Sequence, residues 1–190
     1  MITVVSGIPR SGTSLMMQMI AAGGMPVLTD GLRSADENNP RGYKEWEAAK
    51  SLPQTPEIIA AAEGKVVKVI SSLLFSLPKE HEYRVIFMRR AIEQIVTSQN
   101  KMLERLGQKV PTAPQRVVTS AFNDHLKKIQ KWLSEQPNIS VLYVDYAAVL
   151  ANPQQEAAKI AQFVGHEFDL AAMVAEVEPS LHRERIGTKV

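Results

Sequence analysis

The sequence predicts an α/β fold with a mainly parallel central sheet flanked by helices, and three observations carry that prediction. Short runs rich in Val and Ile recur along the chain. Longer stretches between them repeat apolar residues at helical spacing. The first run breaks at Gly7 into a glycine-bounded turn that leads directly into a helix.

Taken in order, Ile2-Thr3-Val4-Val5 is a β-branched run of the kind found in buried strands. Residues 14–22 follow as a helix with Leu15, Met16, Met19 and Ile20 on one face, stopped by Gly23-Gly24. Residues 29–44 are polar and turn-rich and read as a long surface loop, a length that usually signals function or disorder. Short helices are expected over residues 45–50 and 56–62. The second and third strands are expected over residues 65–70 and 83–88, and a fourth over 140–144. Helices are expected over residues 91–106 and 113–136, each with an apolar stripe, and over 153–164 and 170–177. Strands separated by helices imply a mainly parallel sheet with right-handed crossovers.

The chain of 190 residues is expected to form one domain, with 45% hydrophobic and 22% charged residues as in ordinary soluble proteins. No apolar run approaches the roughly 18 residues of a membrane helix. The first residues lack a basic leader, so no signal peptide is expected. Cysteine is absent, which removes disulfides and thiolate–metal sites and fits a cytoplasmic protein. A net charge of +2 gives no argument for nucleic acid as a partner.

The loop Gly7-Ile8-Pro9-Arg10-Ser11-Gly12-Thr13-Ser14 sits between the first strand and the first helix. Its two glycines have phosphate-loop (P-loop) spacing: backbone N–H groups of such a turn converge on an anion, and the helix terminus adds a favourable dipole. Thr13 and Ser14 add hydroxyl donors. The nucleotide triphosphatase pattern requires Lys after the second glycine, but Thr13 stands there and the cation is Arg10 within the loop. Pro9-Arg10-Ser11-Gly12-Thr13-Ser14 resembles the 5′-phosphosulfate-binding loop of the sulfotransferase superfamily, in the arginine form of bacterial and tyrosylprotein-type members. That resemblance implies a three-layer P-loop fold and the co-substrate 3′-phosphoadenosine 5′-phosphosulfate (PAPS), with adenosine 3′,5′-bisphosphate as product.

The third strand ends in Met88-Arg89-Arg90, and Ser98 lies eight residues beyond Arg90. An Arg at a strand end and a Ser two turns into the next helix can approach one ligand at the carboxyl edge of the sheet. The family's 3′-phosphate motif has this Arg–x7–Ser spacing. Ala91-Ile92 replace its usual turn, so Arg89 is the alternative should the register shift by one. Tyr146, after Tyr143-Val144-Asp145, resembles the family's tyrosine near adenine, although Ala147-Ala148 replace the acidic pair that normally follows. The tail Ser180-Leu181-His182-Arg183-Glu184-Arg185 resembles the basic segment over the 3′-phosphate, with Arg183 as its candidate.

Sulfuryl transfer calls for in-line positioning and for cations at the leaving phosphate oxygen. The transferred group carries a single negative charge, so no metal is required, and no cluster of His and carboxylates has metal spacing. Arg10 is the first candidate for stabilising the leaving group. Lys68 is the second: Lys68-Val69-Ile70 resembles the family's Lys-Thr-His strand. The histidine that serves as base there falls at Ile70, which cannot accept a proton, so the base must lie elsewhere. Glu45, which closes the turn Asn39-Pro40-Arg41-Gly42-Tyr43-Lys44, is the first candidate. Asp30, about twenty residues after Arg10 as in tyrosylprotein-type members, is the second. Of the histidines, His125 is read as a surface residue on a helix, and none is assigned to catalysis.

The resemblance implies transfer to a hydroxyl or amine of a small-molecule or glycan-type acceptor, whose pocket residues 29–62 and 106–115 are expected to shape. A P-loop kinase or nucleotide hydrolase, and a non-catalytic PAPS- or nucleotide-binding module, are the competing readings. Oligomeric state is not encoded in any visible pattern.

Overall fold

The computed structural model describes residues 1–36, 39, 41–110 and 112–178. Five strands form the sheet: β1 (Ile2–Gly7), β2 (Val27–Leu28), β3 (Val66–Lys68), β4 (Tyr83–Arg89) and β5 (Ile139–Asp145). Among the described residues six α-helices accompany them: α1 (Thr13–Ala22), α2 (Ile92–Arg105), α3 (Gln115–Ser134), α4 (Tyr146–Ala151), α5 (Pro153–Val164) and α6 (Leu170–Ala175). Every strand pairing is parallel, in the order β2-β3-β1-β4-β5.

Alternation along β1 divides the core into two layers. Ile2 and Val4 pack with Val67, Val85, Phe87, Ile129 and Leu133 on the α3 side. Val5 packs with Val66, Ile86, Met88, Met16, Met17 and Ile160 on the α1 and α5 side. All six residues of β1 are buried, as expected of a central strand covered on both faces. From β1 the chain first builds β2 and β3 on one side and then β4 and β5 on the other. The order therefore reverses at β1, and the crevice at the carboxyl ends of β1 and β4 is where such sheets place ligands.

The differences from the sequence reading lie in short segments. β2 was not expected, because two residues after Pro26 carry no detectable alternation; it forms against β3, with Val27 opposite Val66. The second strand is three residues rather than six. The helix expected at 45–50 is a 3-10 turn, Glu47–Ser51, because the Asp30 carboxylate accepts the Glu47 N–H and fixes its start there. Residues 56–62 are also 3-10 rather than α. A further 3-10 turn, Ser71–Ser76, and the short helix α4 had no periodic signal of their own. The described residues of 29–44 form no helix or strand beyond an isolated bridge between Asp36 and Asn39, yet the segment is not simply superficial, since Tyr43 is 4% exposed. No described helix is long and apolar enough to cross a membrane.

Candidate active site

The carboxyl ends of β1, β3, β4 and β5 deliver Gly7, Lys68, Arg89 and Asp145 to one edge of the sheet. A cavity of about 430 Å³ opens there, lined among others by Pro9, Arg10, Gly12, Thr13, Ser14, Glu45, Lys68, Arg90, Ser98 and Tyr146.

The glycine loop has the backbone of an anion cradle. Gly12 has φ 103°, and a Cβ placed on it would lie 2.5 Å from the Tyr146 ring, so only glycine fits. Arg10 adopts φ 73°, a left-handed conformation that costs a non-glycine residue about 1–3 kcal/mol. The N–H groups of the first turn of α1 lack intrahelical acceptors, no side chain caps them at Gly12, and Gly12, Thr13 and Ser14 line the cavity. An anion of phosphate size fits this arrangement. Ser11 departs from the sequence expectation. It is 1% exposed, stands outside the cavity lining and gives its N–H to the Ile8 carbonyl. Its Oγ is buried without a hydrogen-bond partner, so the side chain is packed into the turn and does not line this cavity.

The glycine loop and the Arg90–Ser98 segment touch. The Arg10 Nε donates to Ser98 Oγ at 3.0 Å, and Arg90 donates to the Arg10 carbonyl at 3.2 Å. Arg90 is also oriented by Gln94 and lies 4.6 Å from the centre of the Tyr146 ring. Arg89 points elsewhere: it makes a bidentate pair with Asp145 at 3.0 and 2.9 Å and lies outside this cavity. Of the two arginines, Arg90 is thus the one that shares the cavity with Ser98.

Lys68 is 8% exposed. Its strand position puts it on the same face as Val66, toward α1, and Nζ reaches Ser14 Oγ at 3.1 Å and Glu45 Oε1 at 2.9 Å. Burial pushes the Lys68 ammonium below the usual lysine range, and the Glu45 charge offsets part of that. Burial acts on Glu45 in the opposite sense to its partners: it raises the carboxyl, but Lys68 and Arg33 outweigh it and the net shift is downward. Arg33 grips both Glu45 oxygens at 3.0 Å and stacks 3.5 Å from the centre of the Tyr43 ring.

The loop carrying Glu45 is held from several sides. Gln18 of α1 donates to the Gly42 carbonyl at 2.8 Å and to Asn39 Oδ1 at 3.2 Å, and Tyr43 donates to Asp36. Arg41 pairs with Glu176 at 2.6 Å and with Glu178. Asp30 is part of this framework and not of the cavity. Its two oxygens accept N–H groups of Glu47 and Leu32, and the Glu47 bond chiefly holds its carboxyl below the usual range. The structure thus keeps the second candidate base away from the reacting edge.

Arg183 lies outside the described residues. His125 is not a bare surface residue: its Nε2 is 2.8 Å from Ser71 Oγ, and burial lowers its pKa. The segment 106–115 was expected to shape the acceptor pocket, but its described residues do not line the cavity. Lys101, Met102 and Arg105 of α2 do so instead, while Arg33, Tyr43 and Trp46 line it from the other expected segment, 29–62. The α2 residues were legible in principle, since they follow Ser98 by three, four and seven positions on one helical face. Arg33 and Tyr43 sit in irregular backbone that offers no such spacing. Among the described residues, no three His, Asp or Glu side chains converge as a metal-ligand group.

Comparison with known proteins agrees with this geometry. The family model described as "Sulfotransferase domain" matches residues 2–184. The solved sulfotransferase domain from the curacin biosynthetic pathway is 13% identical with a TM-score of 0.54, covering 97% of this chain and 80% of its own. Mouse sulfotransferase SULT7A1, solved in complex with PAP, is 16% identical with a TM-score of 0.57, covering 98% of this chain and 66% of its own. No curated protein sequence matches the chain. With the family model spanning almost the whole sequence, the chain belongs to the sulfotransferase domain family and is a PAPS-dependent sulfotransferase.

Proposed function

We propose that Glu45 deprotonates the acceptor while Lys68 and Arg10 stabilise the transferred group and its leaving oxygen. The observation that carries this reading is the convergence of Lys68 on both Ser14 and Glu45, which joins the phosphate loop to a carboxylate within one cavity. PAPS, when bound, supplies a sulfuryl group on a phosphate that leaves as an anion. Thr13, Ser14 and the amino end of α1 hold the 5′ end, with the backbone of Pro9 and Gly12 shaping the cradle. Arg90 and Ser98 hold the 3′-phosphate, and Tyr146 lies beside the adenine. In the balanced reaction the acceptor oxygen or nitrogen forms the new bond to sulfur and the sulfur–phosphate oxygen bond breaks. The acceptor proton passes to Glu45, and adenosine 3′,5′-bisphosphate departs. Arg183 extends the 3′-phosphate site in this reading, on its sequence resemblance alone. The acceptor is a small molecule bearing a hydroxyl or amine.

Calorimetric titration with adenosine 3′,5′-bisphosphate in the absence of Mg²⁺ tests the cofactor assignment. Binding is expected, and Arg90→Ala should weaken it by about 10- to 100-fold, the loss of charge-assisted hydrogen bonds to one phosphate. Arg89→Ala, which removes a surface pair with Asp145, should leave the affinity within about twofold. Binding of ATP·Mg²⁺ without any response to the bisphosphate would support a kinase or hydrolase instead. Loss of affinity in the Arg89 variant alone would reassign the 3′-phosphate partner.

A further inference from the structure

The loop that carries Glu45 also supplies a residue that holds its side chain. Thr29 Oγ1 donates to the Glu45 carbonyl at 2.7 Å, and the two oxygens of Asp30 accept the Leu32 and Glu47 N–H groups. Residues 29–33 are thereby laid alongside 45–47, and Arg33 reaches the Glu45 carboxylate from across the loop. Its Nη1 lies 3.0 Å from each carboxylate oxygen, and its guanidinium carbon lies 3.5 Å from the centre of the Tyr43 ring. That ring is a fixed platform, since Tyr43 is buried and its hydroxyl donates to Asp36. A carboxylate offers about four lone pairs, two on each oxygen. Oε1 accepts from both Lys68 and Arg33, whereas among the described residues Oε2 accepts from Arg33 alone. The accepting position that stays open is therefore on Oε2.

We propose that Arg33 is a positioning residue for sulfuryl transfer, which fixes the Glu45 carboxylate so that Oε2 receives the acceptor proton. This rests on Glu45 being the base and adds the residue that orients it. As the acceptor oxygen or nitrogen bonds to sulfur, its bond to hydrogen breaks and the proton passes to Oε2. The sulfur–phosphate oxygen bond breaks toward the leaving bisphosphate. Without Arg33 the carboxylate is tethered at Oε1 only, by Lys68, and can turn about that contact. Misplacing a reacting group by about 1 Å can cost about 100-fold in rate. Arg33 also keeps the base ionised: burial raises the Glu45 carboxyl, and Lys68 from β3 and Arg33 outweigh it. Arg10 of the glycine loop adds its charge beside Lys68 and Tyr43.

The test uses the full chain, PAPS and para-cresol as a probe acceptor, in a double-mutant cycle with Glu45→Gln. Arg33→Met keeps an apolar stem over Tyr43 and removes the charge. The Arg33 side chain is 45% exposed, so the fold should tolerate the change. Arg33→Gln is the second variant. Each is expected to lower kcat by about 10- to 100-fold with bisphosphate affinity within about twofold of wild type. In the Glu45→Gln background the same substitutions should change kcat by no more than about twofold, because the residue they act through is already disabled. NMR titration of the Glu45 carboxyl carbon, which needs no acceptor, should show its midpoint shifted upward in both variants, and the acidic limb of kcat/KM should move with it. Losses that multiply in the double variant overturn the proposal, because Arg33 would then act on the cofactor or acceptor directly. So does an unchanged Glu45 midpoint, or wild-type turnover in both Arg33 variants. Near-wild-type turnover in Glu45→Gln alone would instead refute the base assignment on which the proposal rests.

Discussion

Glu45→Gln is expected to lower kcat by about 100- to 10,000-fold, the range for loss of a positioned general base, with bisphosphate affinity nearly unchanged. The substitution keeps the shape and the hydrogen-bonding oxygen but removes the charge that Lys68 and Arg33 share. A pH profile separates the base from the cation beside it. Lys68 acts in its charged form in this mechanism, so kcat/KM should fall as pH rises through its pKa, which burial places below the ordinary lysine value of 10.5. Glu45 is the group that opposes this burial, so in Glu45→Gln the alkaline limb should move to still lower pH. If neutral Lys68 were the base, activity would instead rise through that limb. A profile that rises with pH, or near-wild-type turnover in the Gln variant, would remove Glu45 from the role. The same logic applies to the acidic limb: the two cations hold the Glu45 carboxyl below its usual 4.5. Activity that depends on the carboxylate is therefore lost only below the ordinary glutamate range.

Much of this arrangement was legible in the chain. The strand, glycine turn and helix at residues 2–22 follow from a β-branched run and two glycines, and the structure places them with shifts of one or two residues. Arg90 and Ser98 share the cavity, but their meeting there runs through Arg10, whose side chain reaches Ser98 and whose carbonyl accepts from Arg90, and no spacing in the chain shows that. What the chain did not show is how the long loop folds back. Glu45 was found as a carboxylate closing a turn, but its contact with Lys68 depends on Gln18 anchoring Gly42, a pairing across the fold without local periodicity. Arg33 was missed for the same reason: its partners Glu45 and Tyr43 are set by tertiary packing. For Asp30, spacing alone cannot distinguish a carboxylate aimed at a substrate from one that caps a 3-10 turn, as its bond to the Glu47 N–H does here.

Arg10→Ala should reduce kcat by about 100- to 1000-fold, the scale observed when one preorganised donor to a developing charge is removed. Its position explains why a single residue can weigh so heavily. The guanidinium is held by Ser98 and the carbonyl by Arg90, so both its side chain and its backbone are fixed by the residues assigned to the far phosphate. The φ of 73° puts Arg10 in a left-handed conformation that is strained for a non-glycine residue. Comparing Arg10→Ala with Arg10→Gly isolates that cost. Both variants lose the cation and should lose turnover alike. Glycine tolerates positive φ, so Arg10→Gly should unfold at higher temperature than Arg10→Ala, by about 1 kcal/mol in stability. Arg10→Lys keeps a charge but not the planar fork, and is expected to recover only part of the rate. Equal turnover in wild type and Arg10→Ala would exclude Arg10 from transition-state stabilisation. A glycine variant no more stable than the alanine variant would show that the left-handed loop costs the fold nothing.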